Sequence, residues 1–423
     1  MNDTPLNNTY CTAAFNHIYA DMKGRYKLCC HSGYFENPTL EKMRSDDTLP
    51  FDYFLHEGMK EIRTKMLNGE VIPECHSCDR IDNKTPLSSP RYKNYQSLTK
   101  HYTEVRDVQL KLRIFGSACN LGCYMCFPSN SSTRRKELKD AEIDWGGMTL
   151  TSDLRSPIAL KQVGKVYSPQ GAAKKTRINK ERFGDNALNW QESDGQFTIK
   201  PDQWENIKKH FLEHIHLVDN IKITGGEPFQ LPRHFEFLKE IPDEHAKEIT
   251  LSYDTNLSTT QFKNYYSLDE DVIPRFKGVH LAPSADHFGK KLSWVRYPID
   301  VKEFENNLRK YKDRITGIHC TVSVLNIYDL KEIEDYYKEN FGLPTTYNIV
   351  THPKFLNIKN ILDKDIWMPK AGNVLDALSD EANSEETQIM RTYISMLERH
   401  RKYSLKDAGY DDKYLKKIGY LHD

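Results

Sequence analysis

The chain has 423 residues, which is enough for two or three domains of about 150 residues and excludes a single small module. Its 60 Lys and Arg residues balance 60 Asp and Glu residues, so no overall charge would hold it to nucleic acid or to an anionic membrane. It has no apolar run of about 18 residues and no N-terminal secretion signal. We therefore expect a cytoplasmic protein with neither a membrane nor a nucleic-acid partner.

The cysteines are crowded into the first third of the chain, where all but Cys320 lie before residue 127. A chain of this length without a secretion signal is not typical of a disulfide framework. Two intervening residues let two thiolates reach one metal or cluster from a single turn, and this spacing occurs twice. The pattern therefore indicates metal ligation. The three groups are Cys11, Cys29 and Cys30, then Cys75 and Cys78, then Cys119, Cys123 and Cys126.

Residues 1–104 are predicted to form a cysteine-rich N-terminal module. Apolar residues on both sides of a turn at 21–24 predict a hairpin. Met59, Ile62 and Met66 then predict a helix that ends near residue 69, just before the second group of cysteines. A hairpin followed by a helix would bring the separated cysteines together.

Four of these five cysteines suffice to close one metal site. Adjacent side chains on a strand point to opposite faces, so only one of Cys29 and Cys30 is expected to ligate. We favour Cys29, because Cys30 begins the following loop. The ligands would then be Cys11, Cys29, Cys75 and Cys78, and a structural zinc ion remains the alternative to an iron-sulfur cluster.

The third group lies in the segment CNLGCYMC, directly after a predicted strand at 108–115. Asn120 and Gly122 favour a loop that can turn its own sulfurs inward. Three thiolates on one loop suit a cubic iron-sulfur cluster whose fourth iron stays open to a substrate or cofactor. A zinc ion with a fourth ligand from elsewhere is the alternative at this point.

Strand and helix patterns alternate along residues 105–351, the second predicted domain. Such alternation predicts parallel strands joined by right-handed crossovers, and six units predict an α/β fold with a partial (β/α)6 TIM-like barrel. Cys320 alternates with Ile318 and Val322, which predicts a core position. The strand candidates are 108–115, 221–224, 249–253, 279–282, 318–324 and 347–350.

Two further segments lie outside this pattern. The polar, lysine-rich stretch at about 140–200 is longer than a crossover requires, and we expect an insertion that is either a substrate lid or a solvated loop. Residues 352–423 carry helical patterns and are predicted to be a C-terminal extension that packs against the open side of the barrel.

Polar residues follow the predicted strands at their C-terminal ends, where barrel folds place their chemistry. After the second strand comes GGEP, in which two glycines permit close backbone approach to a ligand and Glu227 offers an acceptor for an ammonium group. The remaining residues of interest are Asn256, Ser284, Arg296 and Asn326.

The combination of CNLGCYMC after a strand with GGEP after the next strand resembles the radical S-adenosylmethionine (radical SAM) superfamily. The resemblance implies that Cys119, Cys123 and Cys126 hold a [4Fe-4S] cluster whose fourth iron chelates the amino and carboxylate groups of S-adenosylmethionine. Met125 stands where the family commonly has an aromatic residue that contacts adenine, and Tyr124 lies one place earlier.

The resemblance also implies roles for the other residues at the strand ends. Gly225, Gly226, Glu227 and Pro228 would bind the amino group of S-adenosylmethionine. Asn256 would contact its ribose or methionyl part, Ser284 and Arg296 its carboxylate, and Asn326 its adenosine.

The cysteine-rich module is similar to the twitch and SPASM auxiliary-cluster modules of this superfamily, except that it precedes the barrel. The resemblance implies an enzyme that cleaves S-adenosylmethionine reductively and abstracts hydrogen from a substrate, with an electron donor such as flavodoxin or ferredoxin. We expect a peptide or protein substrate; the alternatives are a small molecule such as a sugar, nucleotide or amine, or a non-catalytic metal-binding interaction protein.

Overall fold

The computed structural model describes residues 9–22, 24, 26–29, 32, 49–76, 78–79, 91, 105, 107–145, 148, 199, 201–367 and 382–421. The chain separates into two compact units. Unit 1 comprises residues 1–116, 197–254 and 260–280, and unit 2 comprises residues 117–196, 255–259 and 281–423. Cys30 and nearly all of the predicted insertion at about 140–200 lie outside the described residues.

The strands are short, and helices separate most of them. In chain order they are β1 (His17–Ala20), β2 (Tyr26–Lys27), β3 (Val108–Leu112), β4 (Val218–Ile223), β5 (Thr250–Thr255), β6 (Gln261–Phe262), β7 (Tyr266–Ser267), β8 (Gly278–Pro283), β9 (Ile318–Val322) and β10 (Thr345–Ile349). The exceptions to the separation by helices are the hairpins β1–β2 and β6–β7 and the loop that joins β5 to β6.

The α-helices range from one turn to five. They are α1 (Ala13–Asn16), α2 (Pro50–Leu55), α3 (Glu57–Leu67), α4 (Ser132–Asp140), α5 (Pro201–Glu213), α6 (Pro232–Glu240), α7 (Asp243–Ala246), α8 (Gly289–Val295), α9 (Val301–Lys310), α10 (Leu330–Phe341), α11 (Ser384–Arg401) and α12 (Asp412–Lys417).

A six-stranded sheet in the order β2-β1-β3-β4-β5-β8 begins in unit 1. The pairs β1–β3, β3–β4 and β4–β5 are parallel, whereas β1 and β2 form an antiparallel hairpin. The predicted N-terminal hairpin is thus confirmed. Its first strand also pairs with β3, so the cysteine-rich segment contributes two strands to the central sheet.

Apolar side chains of the helices cover this sheet, as their spacing predicts. In α5 the buried residues Trp204, Ile207 and Phe211 recur every three to four positions and form one face. Trp204 packs edge-to-face against Phe115, with ring centroids 5.5 Å apart. This packing orients the chain that enters β4.

Unit 2 holds the two-stranded parallel sheet of β9 and β10. The end of β8 reaches β9 through a parallel bridge between Ser284 and His319. In β9 the residues Ile318, Cys320 and Val322 are buried in alternation, so the predicted core position of Cys320 is confirmed.

Two tyrosines at and just before the start of α12 pack onto the loop that follows β9. The hydroxyl of Tyr410 donates to the carbonyl of Leu325 at 2.7 Å, and that of Tyr414 donates to the carbonyl of Val324 at 3.1 Å. Both rings are buried. The residues of 352–423 that the structure describes therefore belong to unit 2.

The protein has a mixed α/β fold with a mainly parallel central sheet, and each of the six strands predicted for residues 105–351 is present. Among the described residues, no helix is both long enough and apolar enough to span a membrane.

Candidate metal and cofactor sites

The loop that carries Cys119, Cys123 and Cys126 lies in unit 2, and all three side chains are half-buried. Backbone hydrogen bonds attach the loop to the segment after α8. The amide of Gly122 donates to the carbonyl of Tyr297 at 2.6 Å, and the amide of Tyr124 donates to the carbonyl of Val295 at 3.1 Å. The three cysteines are therefore carried by a fixed backbone and are only partly exposed.

The start of α4 holds the first cysteine of the loop. Ser131 caps the helix, its hydroxyl accepting from the amide of Arg134 and donating to the carbonyl of Leu121 at 2.7 Å. The hydroxyl of Thr133 donates to the carbonyl of Cys119 at 2.6 Å. These hydrogen bonds tie Cys119 and Leu121 to the start of α4. Residues close in sequence therefore hold this side of the loop in place.

A buried group of three charges lies behind the loop. Glu137 of α4 forms ion pairs with Arg134 on the same helix and with Arg401 at the end of α11. Arg401 also donates to the carbonyl of Gly122 at 2.9 Å. This Arg134–Glu137–Arg401 triad thereby connects the end of α11 to the cysteine loop.

The triad explains the glycine in the middle of the loop. A Cβ atom on residue 122 would lie 3.0 Å from Oε2 of Glu137, so Gly122 permits the close approach. Burial would raise the pKa of Glu137, but the hydrogen bonds and charges of Arg401 and Arg134 outweigh burial and lower that pKa. The triad thus carries two positive charges and one negative charge beside the thiols.

Hydrogen-bond donors face two of the three sulfurs. Nδ2 of Asn256 lies 3.8 Å from Sγ of Cys119 and also donates to Oδ1 of Asn120 at 3.0 Å. Nη1 of Arg296 lies 3.9 Å from Sγ of Cys123. Donors to sulfur stabilise thiolates, and hydrogen bonds to the sulfurs also tune the potential of a cluster.

Arg296 is held in place by a buried carboxylate. Its Nε lies 2.8 Å from Oδ2 of Asp286, and its Nη2 donates to Oδ1 at 3.1 Å. The charge of Asp286 raises the pKa of Arg296 even though burial alone would lower it. Ser284, its predicted companion, is half-buried and its amide donates to the carbonyl of Thr255 at 2.9 Å.

Asn326 is fully buried and hydrogen-bonds within unit 2. Its Nδ2 donates to the carbonyls of Asp286 and Thr321, both at 2.9 Å, and its Oδ1 accepts from the amide of Ser323 at 2.8 Å. The side chain thereby joins the turn after β9 to the segment that holds Asp286.

The residue before the last cysteine of the loop differs in burial from its neighbour. Met125 is half-buried, whereas Tyr124 is fully buried and its hydroxyl hydrogen-bonds to Ser323. The aromatic side chain of this loop therefore packs inward, while the flexible thioether side chain of Met125 stays near the surface.

The GGEP segment follows β4 in unit 1. Gly225 has φ +88° and Gly226 has φ +54°, and a Cβ atom on Gly225 would lie 2.5 Å from Cγ of Arg113. Both glycines are therefore required by the backbone. The carboxylate of Glu227 is fully buried and caps the short helix Pro228–Gln230 by accepting from the amide of Phe229.

The other four predicted ligands also lie in unit 1, where all of them are buried: Cys11, Cys29, Cys75 and Cys78. The pKa values of Cys11 and Cys75 both respond to Cys29 and Cys78, so the four thiols lie within electrostatic range of one another. The fold therefore gathers the three separated parts of this group, which lie at the start of the chain, after β2 and after α3.

Burial makes the free thiols of this group hard to ionise. Desolvation, together with the neighbouring charge of Cys29, raises the pKa of Cys11 to about 12, and burial raises that of Cys75. The guanidinium of Arg91 opposes these shifts and is itself paired with Asp79 at 2.5 Å. A donor set of four such cysteines fits a metal ion or cluster, which replaces the thiol protons.

Sequence reasoning missed the residues that support the cysteine loop, namely Arg134, Glu137, Asp286 as the partner of Arg296, and Arg401. The pair Arg134 and Glu137 has the i, i+3 spacing of a helix ion pair, which is a detectable signal. No local pattern connects Glu137 with Arg401, which lies 264 positions later in the chain.

The sequence matches no protein-family model, and it has no significant match among curated proteins.

Proposed function

We propose that this protein is a radical SAM enzyme that binds a [4Fe-4S] cluster through Cys119, Cys123 and Cys126. The observation that carries the proposal is one fixed loop with three half-buried cysteines, two of which have hydrogen-bond donors facing their sulfurs. Three ligands on a cubic cluster leave one iron for S-adenosylmethionine, and the bound pair supplies reductive cleavage to a 5′-deoxyadenosyl radical.

The charges around the loop support an anionic cluster. A [4Fe-4S] core with three thiolate ligands is negatively charged, and burying a negative charge requires a compensating positive one. The Arg134–Glu137–Arg401 triad has a surplus positive charge. Burial raises the pKa of Cys123, and Arg296 together with the two arginines of the triad opposes this rise. These residues would hold the cluster electrostatically and fix the loop around it.

Different residues would bind different parts of S-adenosylmethionine. The buried carboxylate of Glu227 suits a cationic amino group, and the strained Gly225 and Gly226 allow backbone approach. Ser284 remains a proposed contact to the carboxylate, and Asn256 a proposed contact to the ribose or the methionyl part.

For three other residues we propose a more limited role than the resemblance implies. Arg296 already pairs with Asp286 and faces Cys123, so we propose that it positions the loop and offers its remaining donors to the carboxylate. The side-chain amide of Asn326 is already hydrogen-bonded to backbone groups. We therefore propose that Asn326 shapes the adenosine pocket by holding the backbone rather than by bonding to adenosine. Met125 would contact adenine through its flexible thioether.

We propose that β3, β4, β5, β8, β9 and β10 are the six strands of a partial barrel. The parallel pairs β3–β4, β4–β5 and β9–β10 and the parallel bridge between Ser284 and His319 support this arrangement. The cysteine ligands follow β3 and Glu227 follows β4, and C-terminal strand ends are where parallel barrels concentrate catalytic groups.

We further propose an auxiliary iron-sulfur cluster at Cys11, Cys29, Cys75 and Cys78. Four buried ligands leave no iron open, so this cluster would transfer electrons rather than bind S-adenosylmethionine. A peptide or protein is the proposed substrate class and a small molecule the alternative. Flavodoxin or ferredoxin is the proposed electron donor, and the cytoplasm the proposed compartment.

The test is anaerobic reconstitution of the full chain with iron and sulfide, followed by reduction with dithionite in the presence of S-adenosylmethionine. We expect 5′-deoxyadenosine from the parent protein and none from a variant with Cys119, Cys123 and Cys126 replaced by Ala. Cys320→Ala is the matched control, because this buried thiol lies in the core of β9 and should be dispensable for cleavage.

A second variant separates the two cysteine sites. Replacement of Cys75 and Cys78 by Ala should lower the iron content while leaving uncoupled cleavage of S-adenosylmethionine intact. A parent protein that binds zinc but no iron, and that forms no 5′-deoxyadenosine with any reductant, would overturn the proposal in favour of a non-catalytic metal-binding protein.

A further inference from the structure

A second kind of candidate metal site lies in unit 1, at the C-terminal end of α5. His210 and Glu213 have the i, i+3 spacing that places two side chains on one side of α5, and His214 is the first residue after this helix. One ligand atom from each lies within 4.8 Å of those of the other two. The side chains are nitrogen and oxygen donors, unlike the thiols of the two cysteine sites.

The ring of His210 lies between two carboxylates. Its Nδ1 is 3.8 Å from Oε2 of Glu213, and its Nε2 is 3.8 Å from Oδ1 of Asp52 on α2. Nε2 has no hydrogen-bond partner within the described part of the chain, although the side chain is only 8% exposed. A buried imidazole nitrogen without a partner is costly, and a group that fixes the tautomer would remove part of that cost.

His214 is oriented for ligation before any metal arrives. Its Nδ1 lies 3.0 Å from the carbonyl of His210, to which it can only donate, so Nε2 keeps a lone pair. Its ring stacks on the buried ring of Phe51, with centroids 4.7 Å apart and planes 13° from parallel. Packing already restricts this side chain, so metal binding would cost it little further conformational entropy.

We propose that His210, Glu213 and His214 bind one divalent transition-metal ion of the zinc class. Nδ1 of His210, a carboxylate oxygen of Glu213 and Nε2 of His214 are the ligands, and water takes the fourth position. Asp52 then accepts from Nε2 of His210 as the outer partner that metal-bound histidines usually have.

Small side-chain movements close this site. Tetrahedral zinc with bonds of about 2.0–2.2 Å holds its ligand atoms roughly 3.3 Å apart. Glu213 can make this movement, because its side chain is 53% exposed and its ion pair with Lys209 is long, at 3.9 Å. Imidazole ligands favour zinc and its neighbours over magnesium or calcium.

The metal joins α5 to α2 and lies away from the proposed chemistry. His214 precedes β4, and Gly225 follows the other end of this strand. Six residues of strand correspond to roughly 20 Å. The inference therefore does not rest on the proposed radical SAM activity, and each of them can fail without the other.

The test is a titration of the chelator-treated full chain with Co²⁺, followed by absorption spectroscopy. A cobalt ion at this site lacks the sulfur-to-cobalt charge-transfer band that thiolate sites produce, so the two kinds of site are distinguishable. We expect one such ion per chain in the parent protein and an affinity at least about tenfold lower in Glu213→Gln and His214→Ala.

The chain supplies a matched control in His216, an exposed histidine two residues further on. His216→Ala should retain the cobalt ion of the parent protein. His214→Ala removes the stacking on Phe51 and could therefore disturb the fold. Glu213→Gln changes an exposed side chain, so a loss of cobalt binding in this variant is not explained by misfolding. Unchanged sulfur-free cobalt binding in Glu213→Gln and His214→Ala would overturn the proposal, as would the absence of such binding in the parent protein.

Discussion

Arg401 offers the most direct test of how the cysteine loop is held. Its guanidinium donates to Glu137 at 2.5 Å, to the carbonyl of Trp294 at 2.7 Å and to that of Gly122 at 2.9 Å. The side chain is fully buried. Arg401→Met keeps an apolar stem of similar length but leaves these three acceptors without their donor.

The expected loss follows from the kind of interaction that is broken. Removing one partner of a buried ion pair costs about 3–5 kcal/mol, because the remaining charge stays buried. Glu137 keeps Arg134, which limits the effect, but the two backbone carbonyls lose their donor at about 1–3 kcal/mol each. We therefore expect Arg401→Met to lower the free energy of unfolding by about 3–5 kcal/mol.

Arg401→Lys separates charge from geometry. Lysine keeps the positive charge but replaces the planar fork with a single ammonium group, which cannot reach Glu137, Trp294 and Gly122 together. We expect a smaller loss of about 1–3 kcal/mol. Arg399→Met is the matched control, because this arginine lies on the same helix but is exposed, and the change should stay within about 0.5 kcal/mol.

The assay is urea unfolding followed by tryptophan fluorescence, for which Trp294 is a close reporter with its ring 4.9 Å from the guanidinium of Arg401. The iron bound after reconstitution should fall in the same order as stability. A free energy of unfolding for Arg401→Met within about 1 kcal/mol of the parent protein would refute the view that the triad holds the loop.

Three further outcomes are expected, all measured by urea unfolding. Gly225→Ala should cost more than Gly289→Ala, whose added Cβ meets no atom within 4 Å; equal losses would point to backbone strain alone. Because burial lowers the pKa of His234 from 6.5 to about 3, the unfolded chain takes up this proton first as the pH falls. His234 should therefore lower stability between these pH values by up to about 1.4 kcal/mol per unit, and His17, whose pKa burial also lowers, adds a slope of its own. His234→Gln should reduce the total slope by the share of His234, while its difference at pH 8 reports packing; an unchanged slope would contradict this. Asn326→Ala leaves three backbone groups without partners and should cost at least about 2 kcal/mol, unlike the exposed Asn340→Ala.

The elements of the fold were largely predictable from the sequence because their signals are local. Alternating apolar residues predict β9, and apolar residues at three- and four-residue spacing predict α5, without knowledge of any partner. The boundaries differ by a few residues, as in β4, which begins at Val218 rather than Ile221. The parallel pairing of β1 with β3 was not predictable, since β1 is short and its partner lies 90 residues away.

The sequence by itself determined which residues are candidates for metal binding, because spacing within a loop limits which thiols can share a metal. Cys119, Cys123 and Cys126 lie on one short segment, and no folding is needed to bring them near one another. The same applies to His210, Glu213 and His214, whose helical spacing was readable but gave no sign that Phe51 and Asp52 would lie against them.

Only the tertiary structure decided what surrounds those residues. Glu137 meets Arg401 across 264 positions, and the packing of α1 against α3 brings Cys11 within electrostatic range of Cys75 and Cys78. Such contacts depend on burial and on the pairing of distant strands. Both are properties of the whole folded chain, and no local spacing encodes them.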